Sequence, residues 1–417
     1  VDTTEVRRAV DAVWRIESAR IVATLAAWTH DIGSAEELAQ DALVAALEQW
    51  PASGIPANPG AWLQTVAKRR AIDNLRRRRN LERKLDELGR ETPAHTEPEL
   101  PDGDLTDDVL RLVFTACHPV LSTDARVALT LRLVGGLTTA EIARAFLVTE
   151  PTMAQRITRA KKTLTRKQVP FEVPQGADLA PRLASVLEVV YLIFNEGYSA
   201  TAGEDWIRTD LCAEALRLGR MIAELAPTEP EVHGLIALLE LQTSRTRART
   251  GPTGEPILLL DQDRTRWDRL LIRRGLAALD RALALTSTPG PYLLQAAIAA
   301  CHARAATPDD TDWPRIAALY AALARINPSP VVELNRAVAV SMADGPAAAL
   351  DLVDQLTGEP ALARYHLLPA VRGDLLTRLG RHDEARHEFL RAADLTGNAR
   401  ERTLMQDRAR QAQQHNQ

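Results

Sequence analysis

Little in this sequence ties the chain to itself by covalent or metal staples. Its three cysteines, Cys117, Cys212 and Cys301, are odd in number and far apart, so they supply neither a disulfide framework nor a CxxC metal clip. Aromatic residues make up only 4% of the 417, too few for the Val/Ile/Tyr-rich alternation of an all-β protein. No apolar run approaches the roughly 18 residues that span a bilayer. Those at 186–194 and 235–241 are far shorter, and Asp2, Glu5 and Asp11 stand where a signal peptide would be basic and then apolar. The chain therefore reads as cytoplasmic, with no membrane segment. Catalytic signatures are missing too: there is no GxxxxGK[ST], HExxH or GxSxG. The nine histidines are scattered, Cys117 and His118 have no further ligands nearby, and His382 and His387 suit structural roles. Neither an enzyme, a metal site nor a cofactor is expected. Charge of one sign is also lacking, since 51 basic residues face 55 acidic ones, but that balance conceals two strongly basic blocks.

What is present is helix-forming sequence. Hydrophobic residues reach 46% in long Ala/Leu/Arg/Glu tracts, which predicts an all-α fold, and the length suits about three domains. A helical module is expected over 5–84, interrupted by a loop at WPASGIPANPG, residues 50–60, with three Pro and two Gly. Residues 85–107 are acidic and Pro-rich without apolar period, which predicts a flexible linker. A second module follows over 108–169, punctuated by Pro170 and Pro174. A helical extension then fills 175–417. Its Gly373, Gly380, Ala385, Phe389 and Ala392 have the spacing of paired helices in tetratricopeptide repeats, and Gly345 precedes Gly380 by 35 residues.

The strongest local signal lies at 138–164. Thr138 followed by Glu141 forms a capping box that starts a short helix. Thr149 then caps a second helix whose first turn accepts Pro151. In the second helix Met153, Ile157, Ala160 and Leu164 make one apolar stripe, opposite Gln155, Thr158, Arg159, Lys162 and Arg166. Six basic residues and no acidic one occupy 156–167. A helix-turn-helix with a phosphate-neutralising face follows, with Gln155 and Arg156 near the end that enters a major groove.

The second basic block runs from Gly60 to Arg79. Asn58 caps it with Pro59 in its first turn, and seven cations, Lys68, Arg69, Arg70 and Arg76 to Arg79, face Asp73 alone. Trp62 is assigned to the core, whereas Trp50 has two open readings: core, or a platform on which unpaired bases stack. Upstream, Ser34 and Glu37 predict another capping box on an acidic helix with Glu36, Asp41 and Glu48. That helix either faces solvent or docks on a protein through Leu38, Leu43 and Leu47.

Together these segments resemble the extracytoplasmic-function sigma factors of bacterial RNA polymerase. The resemblance implies that Asp31, Glu36, Glu37, Leu38, Gln40 and Asp41, in DIGSAEELAQDALVAALEQW, bind the clamp of core RNA polymerase. It implies −10 promoter DNA contacts for Trp50, Asn58, Lys68, Arg69, Arg70, Asp73, Asn74, Arg76 and Arg77. It assigns the −35 element to Thr152, Gln155, Arg156, Thr158, Arg159 and Lys162, and the linker to the RNA-exit path of the polymerase. The extension, beginning at YLIFNEGYSAT, resembles the subgroup with a C-terminal helical extension, which implies regulation through that tail and intramolecular contact with the sigma modules. Phe194, Asn195, Glu196, Gly197 and Tyr198 are read either as such a contact surface or as a turn with buried aromatics. A one-component helix-turn-helix regulator with a sensor domain is the rival reading, and it leaves Asp31 to Arg79 unexplained.

Overall fold

The computed structural model describes residues 3–87, 105–146, 148–199, 202–203, 207–252 and 254–414. Among them the chain forms eighteen α-helices and one pair of two-residue strands, the expected all-α architecture. Two compact units divide the chain, Val1–Val190 and Tyr191–Gln417.

The first unit holds α1 (Thr3–Thr29), α2 (Ile32–Ser53), α3 (Pro59–Glu87), α4 (Leu105–Ala116), α5 (Thr123–Leu133), α6 (Thr139–Ala145), α7 (Glu150–Arg166) and the first part of α8 (Leu179–Tyr198). Val6, Val10, Trp14, Ile21 and Leu25 recur at helical spacing and are buried along α1. That stripe lets α1 pack on α2, α3 and α4 at once. Helix α2 starts earlier than expected: the Asp31 carboxylate accepts the Ser34 N–H at 2.6 Å and caps it. Ser34 already lies inside the helix, so the expected Ser34/Glu37 capping box does not form. At its other end α2 runs through Trp50 and Pro51 to Ser53. A proline in the final turn removes only one bond of the ladder, and the chain leaves the helix at Gly54, whose φ of 84° suits glycine. The loop expected over 50–60 therefore shrinks to 54–58.

The expected linker is shortened from both sides, since α3 extends to Glu87 and α4 begins at Leu105; its remaining residues, 88–104, lie outside the described ones. The boundary expected at 170–175 also moves. The units part inside α8 because its first half packs on the first unit. Arg126 donates to the Ser185 hydroxyl at 2.5 Å and to Glu188 at 2.9 Å, and Arg182 donates to the Phe114 carbonyl at 2.8 Å.

The second unit continues with β1 (Ala202–Gly203), α9 (Thr209–Leu225), α10 (Pro230–Thr243), α11 (Arg269–Leu285), α12 (Pro291–Arg304), α13 (Trp313–Ile326), α14 (Pro330–Ala343), α15 (Pro346–Leu356), α16 (Leu367–Arg378), α17 (His382–Leu395), β2 (Gly397–Asn398) and α18 (Ala399–Gln414). Five of these helices carry proline at their first or second position, where its missing N–H costs nothing. Helices adjacent in sequence pack on one another. Leu238, Trp267, Leu279 and Leu293 fill one core, and Leu334, Val353, Leu376 and Phe389 fill another. Gly345 (φ 101°) turns the chain between α14 and α15, as Gly380 (φ 74°) does between α16 and α17. The 35-residue interval thus separates two helical hairpins. A Cβ on Gly373 would sit 2.9 Å from the Phe389 ring, so glycine there sets how closely α16 and α17 approach.

Candidate nucleic-acid interface

The helix-turn-helix forms as the sequence predicts. Glu141 accepts the Thr138 N–H at 2.8 Å while the Thr138 hydroxyl accepts the Glu141 N–H at 3.1 Å, and α6 follows. Burial works against the Glu141 carboxylate, but the hydrogen bonds from Thr138 and the neighbouring Arg15 outweigh it and hold its pKa below the ordinary value. The Thr149 hydroxyl accepts from the Thr152 N–H and starts α7. Met153, Ile157, Ala160 and Leu164 are all buried. Thr152, Gln155, Thr158, Arg159 and Lys162 are exposed on the other side, and Arg156 is half-buried, paired with Asp124 at 3.4 Å.

Around α3 the outcome is mixed. Asn58 caps the helix by accepting the Ala61 N–H at 3.0 Å, so its carboxamide is engaged in structure. Arg69, Asp73, Arg76 and Arg77 are exposed, while Asn74 is half-buried. Lys68 lies over the Trp28 ring at 5.4 Å, and Arg70 pairs with Asp41 at 3.3 Å. Trp50 corrects the base-stacking reading. It is 0% exposed and meets Trp62 edge-on at 5.4 Å, whereas Trp62 keeps part of its surface. The end of α2 draws Trp50 inward under α3, and a fully enclosed ring has no face left for a base.

The acidic helix splits in the same way. Glu37 and Asp41 are exposed and Gln40 half-buried, as a docking face requires. Leu38 is 6% exposed and belongs to the core, which removes it as an anchor. Glu36 is also buried, and it pairs with Arg132 of α5 at 2.6 Å and with Lys161 of α7. Asp31 accepts from the Thr165 hydroxyl at 2.9 Å, and Arg15 of α1 meets Glu141 at 2.6 Å. The modules expected on either side of the linker thus pack on each other within one unit. Val44, 50% exposed, and Leu47, 41% exposed, are the apolar side chains that α2 offers to solvent. Sequence reasoning named Leu47 but missed Val44, although the two lie three residues apart on one helix face.

In the second unit Phe194, Asn195, Glu196, Gly197 and Tyr198 form the last turn and a half of α8 rather than a turn. Phe194 is buried and stacks on Tyr198 at 5.3 Å, and Glu196 pairs with Arg208 at 2.6 Å. A Cβ on Gly197 would lie 2.7 Å from the Cys212 amide nitrogen, so glycine lets α9 approach here.

Comparison with known families places this geometry. Sigma-70 region 2 matches residues 15–81, and sigma-70 region 4 matches 111–164. An uncharacterized protein of Rhizobium meliloti (strain 1021) is 48% identical over 377 residues, 89% of this chain and 88% of the relative. The chain belongs to the sigma-70 family, as an extracytoplasmic-function-type sigma factor with a C-terminal extension. Within that extension, residues 182–283 match a family of unknown function, DUF6596. As a sigma factor it serves promoter-specific transcription initiation, with core RNA polymerase and promoter DNA as partners. Region 2 covers α2 and most of α3, the segment that a one-component regulator leaves without a role. No helix among the described residues is long and apolar enough to cross a membrane.

Proposed function

We propose that the sigma factor divides its contacts among three surfaces and that its extension regulates them. The outer face of α2, with exposed Glu37, Asp41, Val44 and Leu47 and half-buried Gln40, docks on the polymerase clamp, where acidic groups around two apolar side chains give orientation and buried area. The cations of α3 hold the −10 element. The exposed face of α7, Thr152, Gln155, Thr158, Arg159 and Lys162, enters the major groove at the −35 element. The single observation that carries this reading is the partition of α7: an entirely buried apolar stripe against a basic outer face, behind a capped helix and tight turn.

No reaction is involved, and opening of the −10 element is driven by binding energy. The extension acts through the end of α8. The experiment is transcription by bacterial core polymerase on a genomic fragment library, with and without the full-length protein. New initiation sites are expected only when it is added, and Asn195→Ala is expected to change their yield without unfolding the protein. Promoter binding by the protein alone, with no new starts, overturns the assignment of these surfaces; unchanged yield from Asn195→Ala overturns the regulatory one.

A further inference from the structure

The second unit contains a solvent-open cavity of about 340 Å³ between the end of α8 and helices α10, α12, α13 and α14. That volume suits a small molecule. Among the described residues its lining contains no aspartate or glutamate, and its one permanently charged group is Arg245. Among the described residues the guanidinium has only neutral partners: the Tyr198 hydroxyl at 2.8 Å, the Gln242 carboxamide, and the ring faces of Tyr198 and Trp267 at 6.0 and 5.8 Å. Nearby, buried Arg264 donates to the carbonyls of His302 and Ala305 and to the Thr311 hydroxyl and adds a second cation, with Asp310 as the acidic group that acts on it.

His302 supplies an independent observation. The residue lines the cavity and is 8% exposed, yet Nδ1 has no hydrogen-bond partner among the described residues. Burial, with Arg245 and Arg264 nearby, pushes its pKa down to about 3, so the imidazole is neutral at physiological pH. A buried polar nitrogen in a native fold ordinarily has a partner. Asn195, Asn327 and Asn335 also line the cavity, and each carboxamide can both donate and accept.

We propose that this cavity binds a small organic carboxylate, held by Arg245 and hydrogen-bonded by His302 and the asparagine carboxamides. One planar guanidinium in a lining free of acidic groups matches one carboxylate, which it can grip through two parallel hydrogen bonds. The proposal deepens the regulatory reading by naming what the extension responds to. Binding itself is measurable without transcription.

The test uses the full-length protein and ligand-observed NMR, with a panel of small aryl and alkyl carboxylic acids, their primary amides, the matching phosphate monoesters and the matching amines. Acids are expected to bind about tenfold or more tightly than their amides, and Arg245→Met is expected to abolish that preference. Because Arg245 also contacts Tyr198, the exposed Asn335→Asp provides a second variant. It places a negative charge in the lining and is expected to weaken acid binding by about tenfold. Equal binding of acids and amides, preference for amines or phosphate monoesters, acid binding unaffected by both substitutions, or no acid binding at about 10 mM overturns the site. Acid binding that leaves transcription unchanged keeps the site and removes the regulatory reading.

Discussion

Helices α2 and α7 begin alike and end differently. Each is capped by a side-chain oxygen, each has a buried stripe, and each carries charge of largely one sign. In α7 the basic side chains read as outward mostly remain outward. In α2 a carboxylate beside the exposed Glu37 is taken inside, where it meets cations from α5 and from α7 itself. A helical period separates an apolar face from a polar one, but it does not say what a distant segment will bring to the boundary between them. Lys161 and Glu36 both sit at that boundary, and each removes the other from its helix's outer surface.

The contrast can be broken hardest at the end of α2. Trp50→Ala should cost about 3–5 kcal/mol by thermal unfolding, as for other large buried side chains, and Trp62→Ala distinctly less; equal losses would show that Trp50 is not the enclosed member of the pair. The next largest effect separates neighbours in sequence. Glu36→Ala strands two cations that reach water only in part, and should cost roughly 2–3 kcal/mol, less than a wholly buried pair. Glu37→Ala should stay within about 0.5 kcal/mol of the parent in stability while weakening binding to core polymerase, a difference that paired unfolding and polymerase titrations can read.

On α7 the comparison sharpens in the salt dependence of promoter binding by the polymerase complex. Arg159→Ala should reduce the slope of log affinity against log salt by about one and leave stability alone; an unchanged slope takes Arg159 off the DNA. A pH-dependent effect belongs to the start of α6. Thr138→Ala should cost about 1 kcal/mol at neutral pH. Since the pKa of Glu141 is lowered in the folded chain, its contribution is complete above the unfolded-state value and is lost as pH falls through the folded one. The gap between the two proteins should therefore narrow in acid by the share that the Thr138 hydroxyl gives to the Glu141 carboxylate, while the cap bond from the Glu141 N–H persists, which unfolding curves from neutral to acidic pH can check.

Much of the interface was legible because its signals are local. Thr138 with Glu141, Thr149 with Pro151, and Asn58 with Pro59 act within one turn of chain, and the stripe from Met153 to Leu164 needs only the helical period. Where two local signals competed, the sequence was ambiguous. Asp31 and Ser34 are both good caps, and packing of α2 on α1 favours the longer helix that begins after Asp31. Trp62 was assigned to the core while Trp50, the more enclosed of the two, was left open, and of the five helices whose residues line the cavity of the extension only the end of α8 had been singled out.

The sequence by itself determined the helices, most of their ends, the apolar stripes and the basic faces, because capping and periodicity depend on neighbours a few residues apart. Only the tertiary structure decided which charges leave the surface, where α8 divides between the units, and that Arg245 meets neutral partners among the described residues. Those outcomes depend on burial and on partners supplied from afar, as Arg132 reaches Glu36 across 96 residues. Desolvation and pairing energies have no value until the chain has closed on itself.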